Sequence, residues 1–171
     1  ATVDANDLDG SDIADASDTH STDILHDEGT LNLVKAGPAT AGHGDSVSYD
    51  IDVTYTPGAD GSPATDVVVT DDHYTVTETL GGSNPATNIG DTDGDGLLDG
   101  GETWEYVASG TIAALHANGE EDPVVNTATV DADDLDGDDI ADASDTHSTD
   151  ILHDGGTLNL VKTGPATAGH G

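Results

Sequence analysis

The chain of 171 residues carries 36 acidic residues against two basic ones, Lys35 and Lys162, for a net charge of −34. A field of that sign repels nucleic acid and anionic lipid, and no run approaches the roughly 18 apolar residues of a membrane span. Cys, Met and Phe are absent, so no disulfide can staple the fold and the core must rest on Val, Ile, Leu and Ala with Trp104, Tyr49, Tyr55, Tyr74 and Tyr106.

In chain order, the expected elements are extended. Residues 31–34 form the first strand candidate. Val47, Tyr49, Ile51, Val53 and Tyr55 then alternate with Ser48, Asp50, Asp52 and Thr54, the period of a half-buried strand. Residues 67–70, 74–80, 104–108, 124–130 and 146–152 follow as further candidates. Turn signals at Gly37-Pro38, Pro57-Gly58, residues 61–63 and residues 81–85 separate them. Residues 111–118 are the one helix-like stretch, a single short turn. Seven short strands at this spacing predict an all-β chain with an immunoglobulin-like β-sandwich architecture.

Self-comparison sets the organisation. Residues 1–44 and 128–171 align without a gap at an offset of 127 and differ only at Asn6/Asp133, Ser11/Asp138, Glu28/Gly155 and Ala36/Thr163, so 40 of 44 positions match. The expected division is residues 1–27 as the C-terminal strands of a preceding repeat, 28–154 as a complete repeat, and 155–171 as the first strand of the following one. About three residues, 154–156, would separate successive repeats, which should therefore stand end to end with neighbouring copies as partners. Strand exchange between an incomplete end domain and its neighbour is a further possibility.

The combination K-x-G-P…G-D-x-V-x-Y (from Lys35 through Tyr49), D-x-D-G-D-G-x-L-D-x-G-E-T-W (from Asp91 through Trp104) and V-x-N-T-A-T-V (from Val124 through Val130) resembles the immunoglobulin-like repeats of large prokaryotic surface proteins. The resemblance spans essentially the whole period. It implies a β-sandwich at the cell surface and a role in adhesion, surface layers or extracellular fibres.

One loop carries the sharpest chemistry. Residues 91–102 match D-x-D-x-D-G-x5-E position by position. Ca²⁺ prefers six to eight oxygens at about 2.3–2.6 Å, and a loop curling round the ion delivers alternate residues. Asp91, Asp93 and Asp95 would ligate by side chain, Leu97 by its carbonyl, Asp99 directly or through water, and Glu102 by closing the cage. Without flanking amphipathic helices the expected site is structural and not a sensor. A second set counts from Asp134 through Asp136, Asp138, the Ile140 carbonyl, Asp142 and Asp145. It departs from the pattern with Asp139 where Gly is preferred and Asp145 where Glu is preferred; its bland reading is a solvated hairpin tip. In the first copy Asp7, Asp9, Ser11, Ile13, Asp15 and Asp18 hold those places.

His147 and His153 (His20 and His26 in the first copy) are six apart and would share a strand face, with no third metal ligand placed by the sequence. His147, Ser148 and Asp150 are neighbours on one strand and cannot form a nucleophile–base–orienter geometry. No nucleophile elbow, phosphate loop or zinc signature is present, so an enzyme is not expected. The expected function is a calcium-stabilised structural repeat of an extracellular fibre, stalk or surface layer. The alternatives are a ligand-binding adhesin domain and a halophilic surface whose acids serve hydration.

Overall fold

The computed structural model describes residues 1–22, 27–81, 87–114, 118–153, 155–164, 166–167 and 169, and all of its regular structure is β. A hairpin comes first, β1 (Thr2–Asn6) with β2 (Asp12–Ser17). Ten strands follow: β3 (Thr30–Ala36), β4 (Thr40–Gly42), β5 (Ser46–Thr56), β6 (Thr65–Asp71), β7 (Thr75–Glu78), β8 (Leu80–Gly81), β9 (Thr87–Asn88), β10 (Thr103–Thr111), β11 (Val124–Asp133) and β12 (Asp139–Leu152). They build two four-stranded sheets, β3-β5-β10-β7 and β4-β12-β11-β6, and a small ribbon, β8-β9. All pairings are antiparallel except the one between β4 and β12. No helix among the described residues is long and apolar enough to cross a membrane.

The sheets close on each other because their inward positions alternate apolar with outward polar residues. In β5 every second residue from Val47 to Tyr55 is buried and the Ser, Asp and Thr between them face out. Leu31 and Leu33 of β3, Trp104, Tyr106 and Ala108 of β10, Ala128 and Val130 of β11, and Ile140 and Ile151 of β12 complete the core. Each fully enclosed aliphatic or aromatic side chain contributes roughly 1.5–3 kcal/mol. Tyr49 stacks on Tyr74 with ring centroids 5.6 Å apart.

The expected strand at residues 146–152 begins seven residues earlier in the structure, at Asp139. An Asp-rich segment conceals a strand because the inward contribution comes from few residues, chiefly Ile140, which pairs with Ala132. The expected strand at 74–80 divides into β7 and β8 at Thr79, whose amide bonds to Glu105 O while its carbonyl accepts from Ile89. In the helix-like stretch 111–118, Thr111 ends β10 and Ile112 is tied by backbone bonds to Asp45 and Gly44; residues 115–117 lie outside the described residues. So do His26, residues 82–85 of the expected turn, and Asp154 of the expected linker.

The repeat supplies an internal control. β1 and β2 pair Thr2 with Ser17, Val3 with Ala16, Ala5 with Ile13 and Asn6 with Asp12, with an irregularity after Val3. β11 and β12 pair the residues 127 positions later in the same register, with the same irregularity. Burial is what differs: Val3 and Ile13 are 64% and 48% exposed, whereas Val130 and Ile140 are fully buried. Likewise Leu158 and Leu160 are exposed, while their counterparts Leu31 and Leu33 sit in the core.

Candidate metal centre

The loop from Asp91 to Glu102 hangs between β9 and β10 and is pinned at three points. Leu98 is fully buried and exchanges both backbone hydrogen bonds with Ala64. Asn88, buried at the loop's entry, accepts from the Glu105 and Gly90 amides and donates to Glu105 O. Gly90 leaves no room for a side chain: a Cβ there would sit 1.6 Å from Thr103 O.

Within this frame the acids turn inward. Asp91 is buried and accepts from the Gly94 amide at 2.7 Å and the Gly96 amide at 3.0 Å. Gly94 and Gly96 have φ of 78° and 81°, the left-handed region that lets the chain reverse here. The Asp93 and Asp95 carboxylates receive the Asp95 and Leu97 amides. Ligand oxygens of Asp91, Asp93 and Glu102 lie within 4.8 Å of one another, as do those of Asp93, Asp95 and Asp99, so the two groups share Asp93. The five carboxylates expected at this loop thus form two triplets joined at Asp93.

Glu102 is held more firmly than the spacing suggests. Its Oε1 accepts from the Thr92 amide and hydroxyl at 2.7 and 2.9 Å, and its Oε2 from the Asp99 amide and Trp104 Nε1, both at 3.2 Å. A carboxylate offers about four acceptor positions, so closing bidentately on a cation requires one donor to leave each oxygen, the rotatable Thr92 hydroxyl being the readiest on Oε1.

Proton equilibria in the loop diverge. Burial pushes Asp91 upward, but the Gly94 and Gly96 amides outweigh it and hold the carboxyl below its usual range. Glu102 follows the same pattern, burial being outweighed by the Thr92 and Asp99 donors and the indole. Asp99 is raised, first by burial and then by the charges of Asp95, Asp93, Glu102 and Asp91.

The second set is arranged differently. Asp134 is buried and caps its own turn, accepting from the Asp136 and Asp138 amides at 2.8 and 2.9 Å. The chain then runs extended through β12, which carries Ile140, Asp142 and Asp145 away from the turn at about 3.3 Å per residue. Asp145 instead accepts the Lys35 amide. Asp142 joins Asp131 and Asp139, a grouping made across the antiparallel pair. Desolvation and the charges of Asp131, Asp142 and Asp133 raise Asp139. The first copy repeats both features. Asp7 receives the Asp9 and Ser11 amides, Asp4, Asp12 and Asp15 form the equivalent triplet, and Ile13 lies on β2 with Asp18 just beyond it.

The histidines also redistribute. His147 Nε2 lies 3.2 Å from Pro38 O, whereas His153 faces His43, with Nδ1 3.3 Å from His43 Nε2. Glu120 Oε1 is 3.4 Å from His43 Nε2 and 3.7 Å from His153 Nε2, and Asp122 Oδ2 is 3.1 Å from His153 Nε2. This group spans three distant segments, so no local spacing announces it. The hairpin triplets are hidden for the same reason, since their members meet through strand register.

No family model matches the chain, and no curated protein does. Among solved structures the chain is similar to a point mutant of the SrpA adhesin from Streptococcus sanguinis, at 15% identity with a TM-score of 0.32. The match covers 72% of this chain and 58% of that one, so this chain spans less than two thirds of that structure's length.

Proposed function

We propose that this chain is a calcium-stabilised structural repeat of an extracellular fibre, stalk or surface layer, built from immunoglobulin-like sandwiches standing end to end. The observation that carries the reading is the convergence of Asp91, Asp93, Asp95, Asp99 and Glu102 on a loop whose backbone is anchored in the sandwich through Leu98. Oxygen donors alone, mostly short-armed Asp, suit a hard cation such as Ca²⁺. The near-identical period of 127 residues and the repeated hairpin register support an array of such units.

Calcium acts here by linkage. An ion that binds only the folded state stabilises it by about 2.7 kcal/mol per site at a free concentration a hundredfold above its dissociation constant. For a chain without disulfides and with this much self-repulsion, that decides how much of the population is folded. The test is the melting temperature in millimolar Ca²⁺ and in excess chelator, with Asp93→Asn as a second variant. A fall in chelator that is smaller in the variant is expected; an unchanged melting temperature on chelation removes the calcium reading. Negative-stain images of the native assembly address the array: an axial repeat supports a fibre or layer, and isolated tip-like particles favour an adhesin.

A further inference from the structure

The side chains of Lys35, Asp71 and Asn126 are enclosed between the sheets and have no role in the metal loop. β11 turns Asn126, Ala128 and Val130 inward. Ala128 pairs with Asp71 of β6 on one side and Asp145 of β12 on the other, so two carboxylates flank a methyl group. Lys35, from the opposite sheet, lies across this row. Its amide donates to Asp145 Oδ2 at 2.8 Å and its ammonium is paired with Asp71 Oδ2, both side chains of that pair being fully enclosed.

Asn126 is the next inward residue along β11, about 7 Å from Ala128 at the rise of an extended strand. It is fully buried, and neither its carboxamide oxygen nor its nitrogen has a hydrogen-bond partner. Its cross-strand neighbour His147 packs against Tyr49 at 5.7 Å between ring centroids, and the Lys35 ammonium stands 5.0 Å from the same Tyr49 ring. An amine and a carboxylate, paired with each other, are therefore enclosed beside Ala128, and a buried carboxamide stands two residues along the same strand. A core carboxamide unpaired at both ends calls for an explanation.

We propose that Lys35 and Asn126 join in an intramolecular isopeptide bond, with Asp71 carrying the protons. Asp71 takes one proton from the Lys35 ammonium, and the freed lone pair attacks Asn126 Cγ. The new N–C bond forms as the carbonyl π pair moves onto Oδ1. The tetrahedral centre collapses, the Cγ–Nδ2 bond breaks, and Nδ2 leaves as ammonia with the proton returned by Asp71. One of the two protons still on the Lys35 nitrogen passes through Asp71 and departs with ammonia as ammonium, and the other stays on the new secondary amide. No oxidant or other co-reactant is consumed. Folding supplies the proximity that makes a poor electrophile react, and the closed core keeps water from competing. The product ties β3 of one sheet to β11 of the other, a covalent clamp in a chain that has no cysteine.

Lys162 is the built-in control. It occupies the same sequence context 127 residues later but is exposed. The chain has no other Lys or Arg, so trypsin has two sites when unlinked and only the one at Lys162 when Lys35 is acylated. The experiment is intact mass spectrometry of the full chain, folded in Ca²⁺ and then denatured, followed by digestion and fragment sequencing. The expected result is a mass lower than the sequence mass by one ammonia, cleavage at Lys162 alone, and a branched peptide joining Lys35 to Asn126. Lys35→Met, Asn126→Ala and Asp71→Ala should each restore the full mass. Two results overturn the bond: the full sequence mass from a sample whose amide spectrum shows a folded core, or an ammonia loss located elsewhere, such as a succinimide at Asn118-Gly119. An ammonia loss that persists in Asp71→Ala overturns the role of Asp71. The wild-type peptide decides the linkage even if a variant fails to fold.

Discussion

Asp99 stands in a loop where neighbouring carboxylates have opposite proton preferences. Asp91 and Glu102 are held below their usual range, so the stability they contribute is present above about pH 4 and lost as pH falls through their folded values. Asp99 is raised, so its contribution is present only in acid and is lost as pH rises through its folded value. At neutral pH its charge opposes folding unless a cation offsets it. Asp99→Asn is therefore expected to raise the melting temperature in chelator at pH 7 and to weaken calcium binding. Melting curves in chelator and in Ca²⁺ check this; a variant less stable in both would make Asp99 a structural hydrogen-bonding residue instead. This carboxylate cluster was legible in the sequence because its five members fall within twelve consecutive residues. Illegible was the restraint on Glu102, since its partners Thr92 and Trp104 are identified only once the loop is folded.

At the scale of elements, the two hairpins show what local sequence decides. Register and bulge repeat in β1–β2 and β11–β12, so pairing is encoded locally, while burial depends on the opposing sheet. Removing the same side chain in each copy should have unequal effects. Ile140→Ala leaves a void in a closed core and is expected to cost about 2–5 kcal/mol, whereas Ile13→Ala should stay within about 0.5 kcal/mol. Equal changes in urea unfolding midpoint would mean that the first hairpin is also covered in solution. Strands with clean alternation, such as β5, were legible for the same reason that they are stable: every second residue enters the core. The start of β12 was not, because Asp139, Asp142 and Ser144 mask a strand whose inward face is carried by Ile140 and Ala143. The Asp131–Asp139–Asp142 triplet and the His43–Glu120–His153 group were illegible too, since both depend on which segments lie side by side.

Across the whole molecule, 36 acidic side chains and two lysines make repulsion a global term. Monovalent salt and calcium should relieve it by separable routes. Salt screens every exposed pair, with a Debye length falling from about 10 Å at 0.1 M to about 3 Å at 1 M, but it does not replace an ion held by converging carboxylates. In chelator, the melting temperature is therefore expected to climb with NaCl and then level off below its value in Ca²⁺. In saturating Ca²⁺ the climb should be shallower, because the ion already offsets part of the charge gathered at residues 91–102. Asp93→Asn should lose the difference between the two plateaus and keep the salt response, since it alters one site and leaves the rest of the field intact. A melting series in NaCl with and without Ca²⁺ measures both terms. If molar NaCl alone reaches the calcium value, the acids act as a hydrated surface suited to high salt, and the loop is one more part of that surface. If the plateaus stay apart, the charge makes folding conditional on calcium, and an array of such repeats would stiffen only where that ion is supplied.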